Sequence, residues 1–185
     1  MKIRHAFWAP AVLGLVADLL TKQLVFAWLG KLPALSQRFD LLPPLLVFEL
    51  HKNTGGVFGV LQGRSHVFVV LSLCALGAVA WMLRGAKPGQ RLFPAALGLV
   101  AAGAVGNLVD RLWFGYVRDF IYVEIIRWPA FNIADTCICV AAALLFLEVV
   151  RAELRERKER LAARTAGEAR QDRKARSKGG AGGRG

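Results

Sequence analysis

The chain has 185 residues, of which 55% are hydrophobic, and it carries a formal net charge of +12. Its mean hydropathy of +0.42 is too high for a soluble domain of ordinary composition. The three cysteines and three histidines are scattered, so neither a disulfide framework nor a metal-binding cluster is expected.

Four apolar runs dominate the sequence, each of 17 to 23 residues. A helix rises about 1.5 Å per residue, so each run can cross a hydrocarbon core of about 30 Å. We therefore predict an all-α membrane protein with four transmembrane helices, at about 7–29, 66–83, 92–112 and 133–150. Basic residues precede the first run, as in a secretory signal. Its length and its internal Asp18 and Lys22 nevertheless favour a retained helix.

Helix one carries Asp18 and Lys22 at a spacing of four, so both side chains lie on one face. A lone ionised group near the middle of a membrane helix costs at least about 2.5–3.5 kcal/mol on insertion scales. Pairing of Asp18 with Lys22, or with groups on other helices, lowers this cost. The pattern favours a polar clamp between helices, and a direct part in chemistry is the alternative.

The segment 30–65 differs from the helices, because three prolines punctuate it. Within it, LLVFELHKN (45–53) is typical of a strand and leads into NTGGVFG (53–59). Glycines allow close backbone approach, so this loop, with Asn53 and Gly55, is a candidate for lying against a ligand. We predict a small extended or β subdomain over this segment, on the outer face of the membrane.

Helix three combines a stripe of small residues with polar side chains near its end. Gly98, Ala102 and Gly106 recur at intervals of four, which lets a neighbouring backbone approach closely in lipid. Asn107 and Arg111 share one face, and together an amide and a guanidinium can hold a peptide carbonyl or a carboxylate. Interfacial capping and snorkelling explain the same two residues equally well.

Two aspartates lie just outside the ends of apolar segments, Asp119 in VRDFI and Asp135 in FNIADT. Asp135 falls in the first turn of helix four, where the helix dipole favours a carboxylate and Asn132 is the expected N-cap. Asp119 follows helix three in an expected loop and has no comparable helix role. An aspartic protease requires two carboxylates that can act on the same water molecule.

Basic residues indicate the orientation in the membrane. They precede helix one, occupy the link between helices two and three, and fill the segment 151–185. Four helices place these regions on one side, predicted to be the cytoplasm, so both termini are expected there and the segments 30–65 and 113–132 face outward.

The segment 151–185 holds 12 of the 25 Lys and Arg residues and 5 of the 13 acidic residues. It begins as a charged helical pattern, and its Gly-rich end is expected to be disordered. We expect this basic tail to be attracted to anionic lipid and do not expect it to bind nucleic acid.

Five segments, taken in order, resemble lipoprotein signal peptidase, or signal peptidase II. They are DLLTK (18–22), NTGGVFG (53–59), GNLVDR (106–111), VRDFI (117–121) and FNIAD (131–135). The resemblance covers about residues 7–150. It implies an aspartic peptidase of the bacterial cytoplasmic membrane that removes the signal peptide from prolipoproteins, cutting before the diacylglyceryl-modified cysteine.

The resemblance also implies roles for particular residues. Asp119 and Asp135 match the catalytic pair, and Asp18 and Lys22 match the polar pair of helix one. The positions that match the substrate pocket are Asn53, Gly55, Asn107, Arg111 and Asn132. No cofactor or metal is expected, and serine-, cysteine- and metal-directed inhibitors should have no effect.

Two residues depart from the family pattern: Ala102 stands where a glycine is frequent, and Arg118 where an apolar residue is usual. The alternative class of function is a non-enzymatic membrane transporter or scaffold. A transport path needs polar groups through the full membrane depth. Here the polar residues gather in the outer half of the predicted helices, which favours a site that opens at the surface.

Overall fold

The computed structural model describes residues 3–33, 36–56, 60–87 and 89–179. The chain divides into two units, residues 1–145 and 146–185. In chain order the elements are α1 Ile3–Leu29, β1 Arg38–Leu42, β2 Leu46–Asn53, α2 Ser65–Arg84, α3 Leu92–Phe114, β3 Val117–Val123, β4 Trp128–Phe131 and α4 Ile133–Gly179.

Within the described ranges, four helices are long and apolar enough to cross a membrane, which confirms the predicted fold class. The bounds of α4 differ from the prediction, because the helix continues to Gly179 instead of ending at about residue 150. Residues 151–166 contain no Pro or Gly and are rich in strong helix formers, so the polar stretch prolongs the helix. The Gly-rich end, residues 180–185, lies outside the described residues.

The four strands form one antiparallel sheet in the order β1-β2-β3-β4. We predicted an extended subdomain over 30–65 alone, which anticipates β1 and β2 but not the second hairpin. The register pairs His51 of β2 with Asp119 of β3 and Asn53 with Val117. The expectation that Asp119 lies in a loop is therefore wrong. Its run VRDFIYV carries two charges, and it becomes a strand because β2 is there to pair with it.

The small-residue stripe of α3, Gly98, Ala102 and Gly106, faces α1. A Cβ atom on Gly98 would clash with the backbone oxygen of Phe7, and one on Gly106 with the carboxylate of Asp18. This contact confirms the close helix approach predicted from the spacing of four. It also brings the polar face of α1 directly against α3.

A buried apolar cluster joins the end of α1 to the sheet and includes Val25, Leu29 and Phe120. Phe120 is 2% exposed. Successive side chains of a strand point to opposite faces, so the burial of Phe120 directs Asp119 to the other face of β3. The core thereby sets the position of the first candidate catalytic residue.

Candidate active site

Asp119 is almost completely buried, with 2% of its surface exposed. Its Oδ2 atom accepts a hydrogen bond of 2.9 Å from Nδ2 of Asn53, at the end of the neighbouring strand β2. Its Oδ1 atom accepts one of 2.7 Å from Nδ2 of Asn132, which precedes α4. Both carboxylate oxygens are therefore held by side-chain amides from two different parts of the chain.

Asp135 lies in the first turn of α4 and exchanges hydrogen bonds with Asn132. The backbone N–H of Asp135 donates to Oδ1 of Asn132 at 3.0 Å, and the backbone N–H of Asn132 donates to Oδ2 of Asp135 at 3.2 Å. This reciprocal pair is a capping box with aspartate in the third helical position. The predicted N-cap role of Asn132 is confirmed, and the motif limits the orientation of the Asp135 carboxylate.

Two asparagines connect the carboxylates. Nδ2 of Asn107 donates to Oδ1 of Asp135 at 2.8 Å, and Nδ2 of Asn132 donates to Oδ1 of Asn107 at 3.2 Å as well as to Asp119. Nζ of Lys22 completes the network with a 3.0 Å hydrogen bond to Oδ1 of Asn107. The structure therefore brings Asn107 and Asn132 between the two predicted catalytic residues.

Both carboxylates line one cavity of about 850 Å³. Its polar wall includes Asn53, Asn107 and Arg111, and its apolar wall is formed by side chains of α2, α3 and α4. The cavity thus places two acids and several hydrogen-bonding groups beside a surface that suits an apolar ligand.

The pKa of the Asp119 carboxyl is raised to about 7, first because burial disfavours its charged form and second because Asp135 repels a second negative charge. Hydrogen bonds from Asn53 and Asn132 oppose this rise. A carboxyl with a pKa near neutrality retains a proton at a pH where an ordinary aspartate has lost it. Asp119 can therefore keep a proton at neutral pH, as one carboxyl of an aspartic protease does.

Asp18 and Lys22 are both fully buried and form an ion pair of 2.8 Å. The second carboxylate oxygen of Asp18 accepts a hydrogen bond of 2.8 Å from the backbone N–H of Ala134 in α4. Neither residue is among the described residues that line the cavity. These contacts join α1 to α4, as the clamp interpretation expects.

Asp110 and Arg118 were given no role in the sequence analysis. Nε and Nη2 of Arg118 donate to Oδ1 of Asp110 at 3.1 and 2.8 Å, and the backbone N–H of Arg118 donates to Oδ2 at 2.9 Å. Gly115, in the left-handed conformation at φ 81°, ends α3 and lets the chain fold back for this contact. Nothing in the sequence except a glycine after the helix signals this pairing.

Arg111 contacts the predicted loop that begins at Asn53. Its Nη2 atom donates a hydrogen bond of 3.2 Å to the backbone oxygen of Gly55. Its guanidinium also lies over the ring of Phe68, 4.8 Å from the centroid. A Cβ atom on Gly55 would come within 2.8 Å of the backbone oxygen of Val60, so only glycine fits there. Residues 57–59 of the predicted loop lie outside the described residues.

The sequence and the fold also match known proteins. A family model described as Signal peptidase (SPase) II matches residues 10–151. The lipoprotein signal peptidases of Halalkalibacterium halodurans and Geobacter metallireducens are 34% and 39% identical to this chain. Each match covers 83% of this chain, and 97% and 95% of the respective relative. The chain belongs to the signal peptidase II family.

A solved bacterial membrane enzyme superimposes with a TM-score of 0.67 at 29% identity, over 77% of this chain and 86% of that one. Membership of the signal peptidase II family identifies the chain as a multi-pass membrane protease. The buried carboxylate of Asp119 and the half-buried carboxylate of Asp135 agree with the aspartic class. A transporter or scaffold is not favoured.

Proposed function

We propose that this protein removes the signal peptide from diacylglyceryl-modified prolipoproteins, cutting before the lipidated cysteine, with Asp119 and Asp135 as the catalytic pair. The observation that carries the proposal is that both carboxylates line one cavity and are connected by hydrogen bonds through Asn107 and Asn132. Membership of the signal peptidase II family supports the same substrate class.

In the proposed mechanism, Asp119 is the protonated member of the pair and Asp135 acts as the general base. The N-terminus of α4 and hydrogen bonds from Asn107 and Asn132 favour negative charge on Asp135. Asp135 takes a proton from water as the water oxygen attacks the scissile carbonyl carbon, and Asp119 donates a hydrogen bond to the carbonyl oxygen. When the tetrahedral intermediate collapses, the C–N bond breaks and Asp135 returns its proton to the leaving amine. This sequence needs no covalent enzyme intermediate.

The substrate is proposed to enter sideways from the bilayer, with its acyl chains against the apolar wall of the cavity and its peptide beneath the loop at Gly55. Nε of Arg111 is buried and has no partner among the described residues, so it remains free to donate to a peptide carbonyl. Asn53, which was expected to line the substrate pocket, donates a hydrogen bond to Asp119 and accepts one from the backbone N–H of Gly55. Both Asn53→Ala and Arg111→Ala should lower turnover. Asn53→Ala should do so partly because it removes a hydrogen bond to the Asp119 carboxylate.

The protein is proposed to reside in the bacterial inner membrane with both termini in the cytoplasm and the active site at the outer leaflet. Basic residues in the link after α2 and in the segment after residue 150 support this orientation, and the latter is proposed to contact anionic lipid. Reporter fusions after Arg38 and after Lys87 test it. An external signal at Lys87 or an internal signal at Arg38 would refute the orientation.

The decisive experiment uses purified protein in lipid and a synthetic prolipoprotein segment with or without the diacylglyceryl group. Only the lipidated segment should be cut, because each buried CH₂ contributes about 0.8 kcal/mol and the acyl chains localise the scissile bond. Asp119→Asn and Asp135→Asn should each abolish cleavage, whereas Asp40→Asn, an exposed aspartate on β1, should not.

Removal of residues 151–185 should leave activity nearly intact, because every described residue that lines the cavity lies between His51 and Cys139. Equal cleavage of both substrates would indicate a general membrane protease. If neither substrate is cut by folded protein, the proposed function is wrong.

A further inference from the structure

Helix α2 contributes a polar side chain to the active-site cavity. Its cavity-lining residues in the described part of the chain are Phe68, Leu71, Ser72 and Ala75, and Ser72 is the polar member of this set. Ser72 is 8% exposed and therefore lies inside the protein, not on the lipid-facing surface. A hydroxyl in the wall of a substrate cavity is a potential hydrogen-bond donor to the bound substrate.

No described residue supplies a hydrogen-bond partner to Ser72. A hydroxyl on a membrane helix commonly donates to a backbone carbonyl one turn earlier, as Thr21 does to Ala17 at 2.7 Å. No such bond forms at Ser72, and its Oγ atom is not among the fully buried polar atoms that lack a partner, so this hydroxyl is accessible from the cavity that Ser72 lines. A hydroxyl that can be reached from the cavity and has no protein partner can donate a hydrogen bond to a ligand atom.

The position of Ser72 along α2 indicates which part of the substrate its hydroxyl would contact. Ser72 lies seven residues beyond Ser65, the start of α2, or about 10 Å along the helix axis. Its cavity-lining neighbours on the same helix, Leu71 and Ala75, are apolar, as is Val100 of α3. Ser72 is therefore a polar side chain flanked along α2 by apolar residues of the cavity wall.

We infer that the hydroxyl of Ser72 donates a hydrogen bond to a fatty-ester carbonyl of the diacylglyceryl group on the substrate cysteine. This inference rests on the proposed function. An ester carbonyl accepts hydrogen bonds and donates none, so it matches a hydroxyl that lacks an acceptor. It also lies at the head of the acyl chains, which the apolar wall suits. A backbone carbonyl of the signal peptide is the other source of the same chemistry.

The test compares a substrate with two ester-linked chains and one with two ether-linked alkyl chains, which lacks both carbonyls. Wild-type protein should cleave the ester substrate about 2- to 10-fold faster in kcat/KM, the range for one neutral hydrogen bond. Ser72→Ala should cleave both substrates at the rate that wild type shows for the ether substrate. Ser72→Thr, which restores a hydroxyl, should regain the preference.

Ser65→Ala is the matched control, because this serine of α2 is not among the described cavity-lining residues; it should keep the wild-type preference. Thermal unfolding establishes that each variant is folded. Equal slowing of both substrates by Ser72→Ala would assign the hydroxyl to a peptide carbonyl and overturn the inference, as would unchanged rates. Failure of wild type to cut either substrate would instead refute the proposed function.

Discussion

The carboxylate of Asp18 in α1 accepts a 2.8 Å hydrogen bond from the backbone N–H of Ala134, the residue immediately before Asp135. The first N–H groups of a helix have no partner within the helix, and here a side chain of another membrane helix supplies one. The other oxygen of Asp18 is held by Lys22. Helix α1 therefore helps to determine where α4 begins and where Asp135 projects.

Asp18→Ala should destabilise the protein by about 3–5 kcal/mol, because it leaves Lys22 as a buried charge with a weakened set of partners. Asp18→Asn should cost less, since an amide oxygen can still accept from Ala134. Thermal unfolding in detergent measures both. Asp40→Ala removes an exposed carboxylate and should change stability little. An Asp18→Ala protein as stable as wild type would contradict the clamp interpretation.

Activity should fall as the pH rises through about 7, because Asp119 then loses the proton that the mechanism requires. On the acid side activity should also fall, once the pair binds a second proton. The apparent pKa values of the two limbs of this bell-shaped profile describe the pair and not either residue alone, because the two carboxyls interact. A kcat/KM profile measured with the lipidated peptide checks this, and full activity at pH 9 would contradict it.

The free energy of unfolding should also depend on pH through Asp119. Because the pKa of Asp119 is raised on folding, from 3.8 to about 7, the folded state binds more proton than the unfolded state between these values. The contribution of Asp119 to the free energy of unfolding therefore decreases as the pH rises from about 4 to 7. Asp119→Asn should gain stability relative to wild type over this interval. A constant difference between the two proteins would argue against the raised pKa.

Arg118→Leu should destabilise the protein by about 3–5 kcal/mol, because it removes two of the donors that hold the buried carboxylate of Asp110. Arg118→Lys keeps the charge but not the two-pronged geometry, so it should cost less. Since Arg118 adjoins Asp119 on β3, kcat should also decrease in Arg118→Leu. Unfolding temperature and turnover together check this, and an unchanged Arg118→Leu protein would mean that the pair is dispensable.

Cys139 lines the cavity one helical turn after Asp135, and it is exposed, whereas Cys137 is buried. The expectation that cysteine-directed reagents have no effect should therefore fail for a reagent small enough to enter. Alkylation by a small maleimide should block cleavage sterically, and Cys139→Ser should protect the enzyme. Cys74→Ser is the matched control and should remain sensitive. Full activity after stoichiometric alkylation of Cys139 would refute this prediction.

The sequence by itself determined the four membrane helices and pointed to Asp119 and Asp135 as candidate catalytic residues. Both signals are local: an apolar run long enough to span the bilayer is visible without any partner, and so is a carboxylate beside it. The N-cap at Asn132 was predictable for the same reason, because its partner Asp135 is three residues away.

Tertiary structure alone decided the environment of Asp119. Its strand exists because β2 pairs with it, and its hydrogen-bond donors Asn53 and Asn132 are separated from it by 66 and 13 residues. The contacts of Asp18 with Ala134 and of Arg118 with Asp110 likewise depend on how helices pack and where α3 turns. Such pairings cannot be recognised from a local sequence pattern, because the side chains become neighbours only when separate elements pack together.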